Sequence, residues 1–291
     1  MSEENKAPES GSSFSIAFKF LTDAKRKALS SYYAFARAVD DIVDDTQKST
    51  EQKKEELMAW RKKIDGIFIG QIPENDTLCQ NLAETCVFYN LKKEHFTLLI
   101  EGMELDLTKH EYATIEDLEY YMYRVAGVVG EVCLRIFEYR NGNDADSENE
   151  ENSKAIARMH GYAVQLTNII RDVREDYESG RVYIPYQDLA RFSCDKENFS
   201  KPGYSKEFTD LMTFEAERAK KYYMDTLALV NKKLAGQFFP SLIIWQVYYD
   251  LLLKIEKSGF HVKEGKVKTT KGEKISSLIK AMLKSLKMRI S

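Results

Sequence analysis

Proline and glycine are scarce in this chain, at 5 and 14 of 291 residues. That scarcity excludes the turn-dense pattern of a β-sandwich or barrel and any collagen-like or low-complexity character. The four cysteines, Cys79, Cys86, Cys133 and Cys194, show no C-x-x-C spacing. They argue against a zinc cluster or a disulfide framework and for free, buried thiols in a reducing compartment. A net charge of −3 gives no general attraction for nucleic acid. No apolar run is long enough to span a bilayer, and residues 1–13 lack the basic start and apolar centre of a signal peptide. The expected setting is therefore cytoplasmic. A di-iron carboxylate bundle would need Glu-x-x-His pairs, and none of His95, His110, His160 and His261 has a Glu three residues before it.

What is present is helical. Hydrophobic residues make up 43% of the chain and aromatics 12%, with abundant Leu, Lys, Glu and Ala. The spacing predicts helices from Thr22 to about Asp45, 50–68, 76–89 and 92–109. Thr114 with Asp117 opens a long one to about Arg140. The acidic, Asn-rich stretch 141–152 reads as a loop. Further helices are expected at 153–179, 205–232, 241–257 and 273–288. No segment alternates like a strand. Residues 1–12 read as a flexible tail, and 13–291 as one all-α domain around a central cavity.

Two carboxylate ladders mark the function. Asp40 and Asp44 lie one turn apart, as do Asp172 and Asp176, each pair near the C-terminal end of its helix. Like charges at that spacing repel by roughly 0.2–0.5 kcal/mol, and the helix macrodipole disfavours anions there. Both ladders are set among apolar residues: Phe35, Val39, Ile42 and Val43 in the first, Leu166, Ile169, Ile170 and Val173 in the second. A missing cation explains both. Carboxylate oxygens without Cys or His suit Mg²⁺. Arg37 and Arg171 beside the ladders suit an anion arriving with the metal, so the pattern reads as a diphosphate site.

Walking back from the first ladder in helical steps gives Arg37, Tyr33 and Ser30; from the second, Asn168 and Gln165. Buried amides need partners, since an unsatisfied one costs about 1–3 kcal/mol. Ser30 and Ser31 leave room below Tyr33. Gly127 and Gly130 thin a helix wall at about 1 kcal/mol each, so another helix or an apolar substrate tail passes close. An apolar cavity below a charged rim fits an amphiphile with a diphosphate head. Aromatic rings such as Tyr33 and Tyr248 suit a cationic intermediate.

Three segments carry a family resemblance: Tyr33-Ala34-Phe35-Ala36-Arg37-Ala38-Val39-Asp40-Asp41-Ile42-Val43-Asp44, then Tyr123-Arg124-Val125-Ala126-Gly127-Val128-Val129-Gly130, then Gln165 through Asp176 with Arg181-Val182-Tyr183-Ile184-Pro185. With Ser13-Phe14 and Tyr248 they span about residues 10–285. The chain resembles the squalene/phytoene synthases, most closely the bacterial dehydrosqualene synthases. The resemblance implies an isoprenoid-synthase helical bundle. In it Asp40, Asp44, Asn168, Asp172 and Asp176 would hold a cluster of up to three Mg²⁺. Tyr33, Arg37, Gln165, Arg171, Tyr248 and Lys266 would contact the diphosphates. The implied reaction condenses two farnesyl diphosphates head to head, through presqualene diphosphate, to dehydrosqualene. Geranylgeranyl diphosphate giving phytoene, or a squalene or presqualene diphosphate product, are the alternatives. A single-substrate terpene cyclase and a non-catalytic scaffold are the rival classes.

The family's Ser-x-Ser-Phe motif reads Gly11-Ser12-Ser13-Phe14 here, so Ser10 or Ser12 would replace the first serine's phosphate contact. No glycine-rich dinucleotide fingerprint is present, and an NADPH-independent outcome is expected. The final helix carries Ile275, Leu278, Ile279, Met282 and Leu286 among basic residues. That stripe either closes the bundle or contacts the inner membrane face peripherally.

Overall fold

The computed structural model describes residues 14–138 and 147–290. Residues 1–13, and with them the expected tail 1–12 and Ser10, Gly11, Ser12 and Ser13, lie outside these residues. The described chain is all-helical, with no strand beyond an isolated bridge between Glu111 and Val182. The helices are α1 (Phe14–Phe18), α2 (Asp23–Asp44), α3 (Thr50–Phe68), α4 (Thr77–Tyr89), α5 (Glu94–Thr108) and α6 (Ile115–Met122). A π-helical turn, Tyr123–Gly127, leads into α7 (Val128–Ile136). Then come α8 (Ser147–Glu178), α9 (Tyr186–Arg191), α10 (Lys206–Leu229), α11 (Phe239–Lys257) and α12 (Lys271–Ile290).

Local chemistry sets the boundaries that position the ladders. The Thr22 hydroxyl caps α2 by accepting from the Lys25 amide. Ser49 and Gln52 form a reciprocal capping box at α3. At the far end of α8, Gly180 adopts φ +81°, its amide bonding Tyr177 O and the Arg181 amide bonding Asp176 O. This is a Schellman turn, and only a residue tolerant of the left-handed region closes it cheaply. The turn throws Arg181 back across the end of the bundle. The connector is then tied down where the Val182 amide donates to His110 O and the Tyr186 amide to Tyr112 O.

Two sequence expectations need correction. Helix α8 begins at Ser147 rather than 153, because Glu150 is bound by Lys92 at 2.5 Å and Arg135 at 3.0 Å. Tertiary charge pairing thus orders an acidic stretch whose composition alone reads as loop. The expected continuous helix 114–140 is interrupted by the π turn. There Tyr123 donates to buried Glu131 at 2.6 Å, and a Cβ on Gly161 would stand 2.5 Å from the Gly127 nitrogen. The glycines therefore serve a backbone-to-backbone crossing of α7 and α8, and the extra residue of the π turn accompanies that crossing. The short α9 and the 3-10 turns Lys196–Phe199 and Lys232–Leu234 went unread, being too brief for a periodic signal.

Two apolar clusters make the core. One joins α8, α10 and α11 around Trp245, Tyr223 and Phe238. The other joins α2 to α5 and α7 around Tyr32, Phe35 and Phe96. The eight apolar residues flanking the ladders are all buried, so the ladders are rigidly seated. All four cysteines are free and buried. Burial pushes the thiols of Cys79, Cys86 and Cys133 up to about 12, which leaves them inert.

Candidate active site

Between the two clusters lies a cavity of about 240 Å³. Its walls are Leu29, Tyr32, Tyr33 and Ala36 from α2, Val125 to Cys133 positions around the π turn, and a continuous face of α8 from Ile156 to Asn168. Tyr248, Ile244 and Ser241 of α11 complete it. Small residues, Ala126, Gly130, Ala157 and Gly161, widen the middle, as the thinned wall suggested. The expected line through Ser30 is rotated: Leu29 reaches the cavity, while Ser31 bonds back to Lys27 O and Ser30 is buried.

Ala36 and Asn168 are each four residues, about 6 Å, short of the first carboxylate of their ladders. The two ladders therefore stand over the same end of the cavity, where two helix C-termini converge. Arg181 joins them, its guanidinium 3.3 Å from Asp44. On α8, Arg171 holds Asp172 through both carboxylate oxygens, and Lys266 lies 3.7 Å from Asp172 and 2.6 Å from Glu175. Arg37 is exposed and pairs with Asp41 at 2.8 Å and Asp40 at 3.5 Å.

The ladders carry the electrostatic signature expected of a cation site. Burial, with repulsion from Asp44 next, lifts the Asp40 carboxyl to about 6, against the pull of Arg37. Burial, with repulsion from Asp172 next, lifts Asp176 to about 7, against Arg181. Each ionises reluctantly without a compensating cation. Asn168 supplies a second sign: its amide bonds Gln165 at 3.4 Å, but its buried Oδ1 has no partner.

Whether these residues fit Mg²⁺ turns on the donor set. It is all oxygen, with an orphaned carbonyl on the same helix face as two carboxylates. Among the described residues, no three His, Cys, Asp or Glu side chains form a ready cage. Mg²⁺ keeps waters and takes one or two carboxylates plus phosphate oxygens, so an open arrangement suits an ion arriving with a diphosphate. The residues fit.

Beneath the ladders sits a group to which the sequence reading gave no role. Asp106 of α5 is buried and accepts from Tyr183 at 2.8 Å and Tyr121 at 2.9 Å. Burial raises its pKa, opposed by the tyrosines and Arg181 and supported by Asp44. Tyr112, Tyr121 and Tyr183 pack against one another with ring centroids 5.1–5.8 Å apart, Tyr183 stacked on both of the others. The available signal was a carboxylate in helical phase with the apolar Leu99 and Met103. Asp106 braces the connector bearing Arg181, and so the contact between the two ladders.

Comparison with known proteins accords with this geometry. The squalene/phytoene synthase family model matches residues 7–273. A 15-cis-phytoene synthase of Synechocystis sp. is 33% identical over 86% of this chain and 74% of its own length. A presqualene diphosphate synthase of Zymomonas mobilis is 32% identical over 93% and 90%. A solved dehydrosqualene synthase superimposes with a TM-score of 0.80 at 25% identity, covering 96% of this chain and 93% of its own. The family consists of prenyltransferase-type enzymes that act on prenyl diphosphates and use a divalent metal. Matched in sequence along nearly its whole described length, and in fold across the bundle that carries both ladders, this chain belongs to the squalene/phytoene synthase family.

Proposed function

We propose that the chain condenses two farnesyl diphosphates head to head, through presqualene diphosphate, to dehydrosqualene. The observation that carries this reading is the pairing of two carboxylate ladders, joined by Arg181–Asp44, over one apolar cavity. Asp40 and Asp44, with Asn168, Asp172 and Asp176, would hold Mg²⁺, which when bound neutralises the leaving diphosphate. Arg37, Arg171 and Lys266 would bind diphosphate oxygens, and Tyr33, Gln165 and Tyr248 would orient the heads at the rim. Ser10, Gly11, Ser12 and Ser13 are proposed as further diphosphate contacts.

The donor loses diphosphate at C1, and the acceptor double bond attacks that carbon. Loss of a proton closes the cyclopropane of presqualene diphosphate. Loss of the second diphosphate, rearrangement and loss of another proton give the conjugated triene, with no reductant consumed. Apolar walls exclude the water that would quench each cation. Arginine and lysine around the ladders hold the charge that leaves.

The C15 length is proposed on the likeness to a solved dehydrosqualene synthase, and the depth of the cavity leaves room for either chain. From Asn168 to Ile156 the α8 wall rises about 18 Å. An extended chain advances about 1.2 Å per bond, so a farnesyl chain needs about 13 Å and a geranylgeranyl chain about 18 Å. A second reading, phytoene synthesis from geranylgeranyl diphosphate, draws support from the named Synechocystis relative. Incubation with both diphosphates and Mg²⁺, with and without NADPH, tests the reading. Thirty-carbon triene formed without NADPH is expected. A preference for the C20 substrate overturns the length assignment, and a monomeric cyclised product overturns the head-to-head reading. A hydrocarbon product partitions into a bilayer, and a peripheral position at the cytoplasmic membrane face is proposed on that ground.

A further inference from the structure

Helix α12 is mounted with its apolar stripe outward. It meets α11 through Ser277, Ala281 and Ser285, all buried. The two helices run antiparallel: Lys254 binds Glu273, the Ser277 hydroxyl donates to Asp250 at 2.6 Å, and Lys284 lies 3.6 Å above the Trp245 ring. Small side chains therefore make the centre of the inward face, flanked by Leu278 and Met288, which pack on the core, so Leu278 leaves the stripe read from the sequence. On the other side, Ile275, Ile279, Leu283, Leu286 and Ile290 are 53–86% exposed. At 100° per residue these five fall within about 80° of arc, nearly opposite Ala281. They run for about 22 Å, four turns. Single exposed apolar side chains are ordinary, but a continuous stripe of this length is not. The bundle does not use it.

Charge decides what covers the stripe. Lys271 and Arg289 border one edge and Lys287 the other, all exposed, while Lys280 beside Lys287 is paired to Asp250 at 2.9 Å. The helix has one acidic residue, Glu273, already engaged by Lys254 and the Thr270 amide. A second copy docked on this face would bring basic borders together, whereas an anionic surface meets them with opposite charge. The C-terminal end of α12 lies against the start of α11, where Arg289 packs on Gly236, a few residues before the cavity-lining Ser241. The stripe thus ends beside the apolar floor of the cavity rather than its charged rim.

We propose that the outward face of α12 is a docking surface for an anionic lipid bilayer, with Ile275, Ile279, Leu283, Leu286 and Ile290 inserted among the acyl chains. The docking rests on the function proposed above only for its purpose, delivery of a hydrocarbon product from the cavity floor. A helix lying in the interface buries its apolar face about 5–10 Å, and each bordering basic residue adds up to about fivefold in affinity.

Flotation of the full chain with phosphatidylcholine vesicles, with and without phosphatidylglycerol, tests this directly. Wild type should float with the anionic vesicles at low salt and less at high salt. The triple variant Ile279→Ser, Leu283→Ser, Leu286→Ser should lose on the order of a hundredfold in partitioning, with an unchanged melting curve. Wild type that stays behind at low salt, or a variant that floats equally, overturns the proposal. So does a dimer in light scattering that the variant lacks, formed by a wild type that ignores vesicles. Turnover of detergent-dispersed prenyl diphosphates on the same samples separates two failures. An inactive chain that floats sinks the functional reading alone, and an active chain that does not float sinks the docking surface alone.

Discussion

Replacing Asp176 with Asn should make the metal-free protein more stable. In the fold the Asp176 carboxyl is lifted from its ordinary 3.8 to about 7, by burial first and then by Asp172. The sign follows from proton linkage. Between pH 4 and 7 the unfolded chain has released this proton and the folded chain has not, so stability falls as pH rises through that window. Above pH 7 the loss is complete. Unscreened, the displacement corresponds to about 4 kcal/mol. Water at the open rim screens the charge, and about 1–2 kcal/mol is the expected gain for the neutral, near-isosteric Asn. At roughly 2 °C per kcal/mol for a chain of this size, the variant should melt about 2–4 °C above wild type at pH 8. Below about pH 3, where both wild-type states are protonated, the difference should vanish.

The assay is thermal denaturation in chelator at several pH values, repeated with Mg²⁺ and inorganic diphosphate. Wild type should gain stability from the pair of ligands at pH 8, and the variant should gain less. Melting temperatures that agree at pH 8, or a gap that does not change with pH, would refute the argument that ladder repulsion awaits a cation.

Asp40→Asn should abolish turnover and leave the metal-free fold as stable or more so, since Asp40 too is lifted, to about 6; wild-type activity in this variant would count against the ladder. Asp172→Asn should abolish turnover without stabilising the fold, because Arg171 and Lys266 already neutralise that carboxylate, as a parallel melt would read. Arg218→Ala should cost about 3–5 kcal/mol by urea denaturation, since it strands Glu215 and Asp188, both buried and paired to Arg218 at 2.6 and 2.9 Å. Gly180→Ala should cost about 1–2 kcal/mol through its left-handed backbone and lower turnover further by displacing Arg181; unchanged turnover would separate the turn from the site.

The ladders were legible because they break two rules of helix electrostatics at once, and the main helices because their apolar period is long. Thr22, Ser49 and Gly180 mark boundaries in the sequence as they do in the fold. The start of α8 was illegible because partners distant in sequence, Lys92 and Arg135, hold Glu150. Asp106 escaped for a similar reason: its tyrosine partners come from residues 121 and 183, and only the Arg181 turn brings Tyr183 to it. The last helix shows a further limit. Its apolar stripe was plain in the sequence, but periodicity gives the width of a face and not its direction. Ser277, Ala281 and Ser285 decide that direction, and small polar residues carry little weight in a hydrophobic pattern.

The two ladders, alike in sequence, are not equivalent in the fold. The second carries its own counter-charges, Arg171 on Asp172 and Lys266 across Glu175, so its first carboxylate is fixed before any ligand arrives. The first depends on Arg37, which is exposed and shared with Asp41, and on Arg181, which reaches Asp44 from the end of α8. Its carboxylates are therefore the looser pair. On the proposed reading, an ion entering with a diphosphate would meet one prepared wall, Asn168 with Asp172, and one adaptable wall, Asp40 with Asp44. Mg²⁺ demands near-octahedral geometry, and phosphate oxygens would supply ligands that these side chains alone do not. Metal affinity should accordingly be weak for the ion alone and rise with diphosphate present. Isothermal titration of Mg²⁺ with and without inorganic diphosphate reads this directly; equal affinity in the two conditions would mean that the carboxylates form a complete cage without the anion.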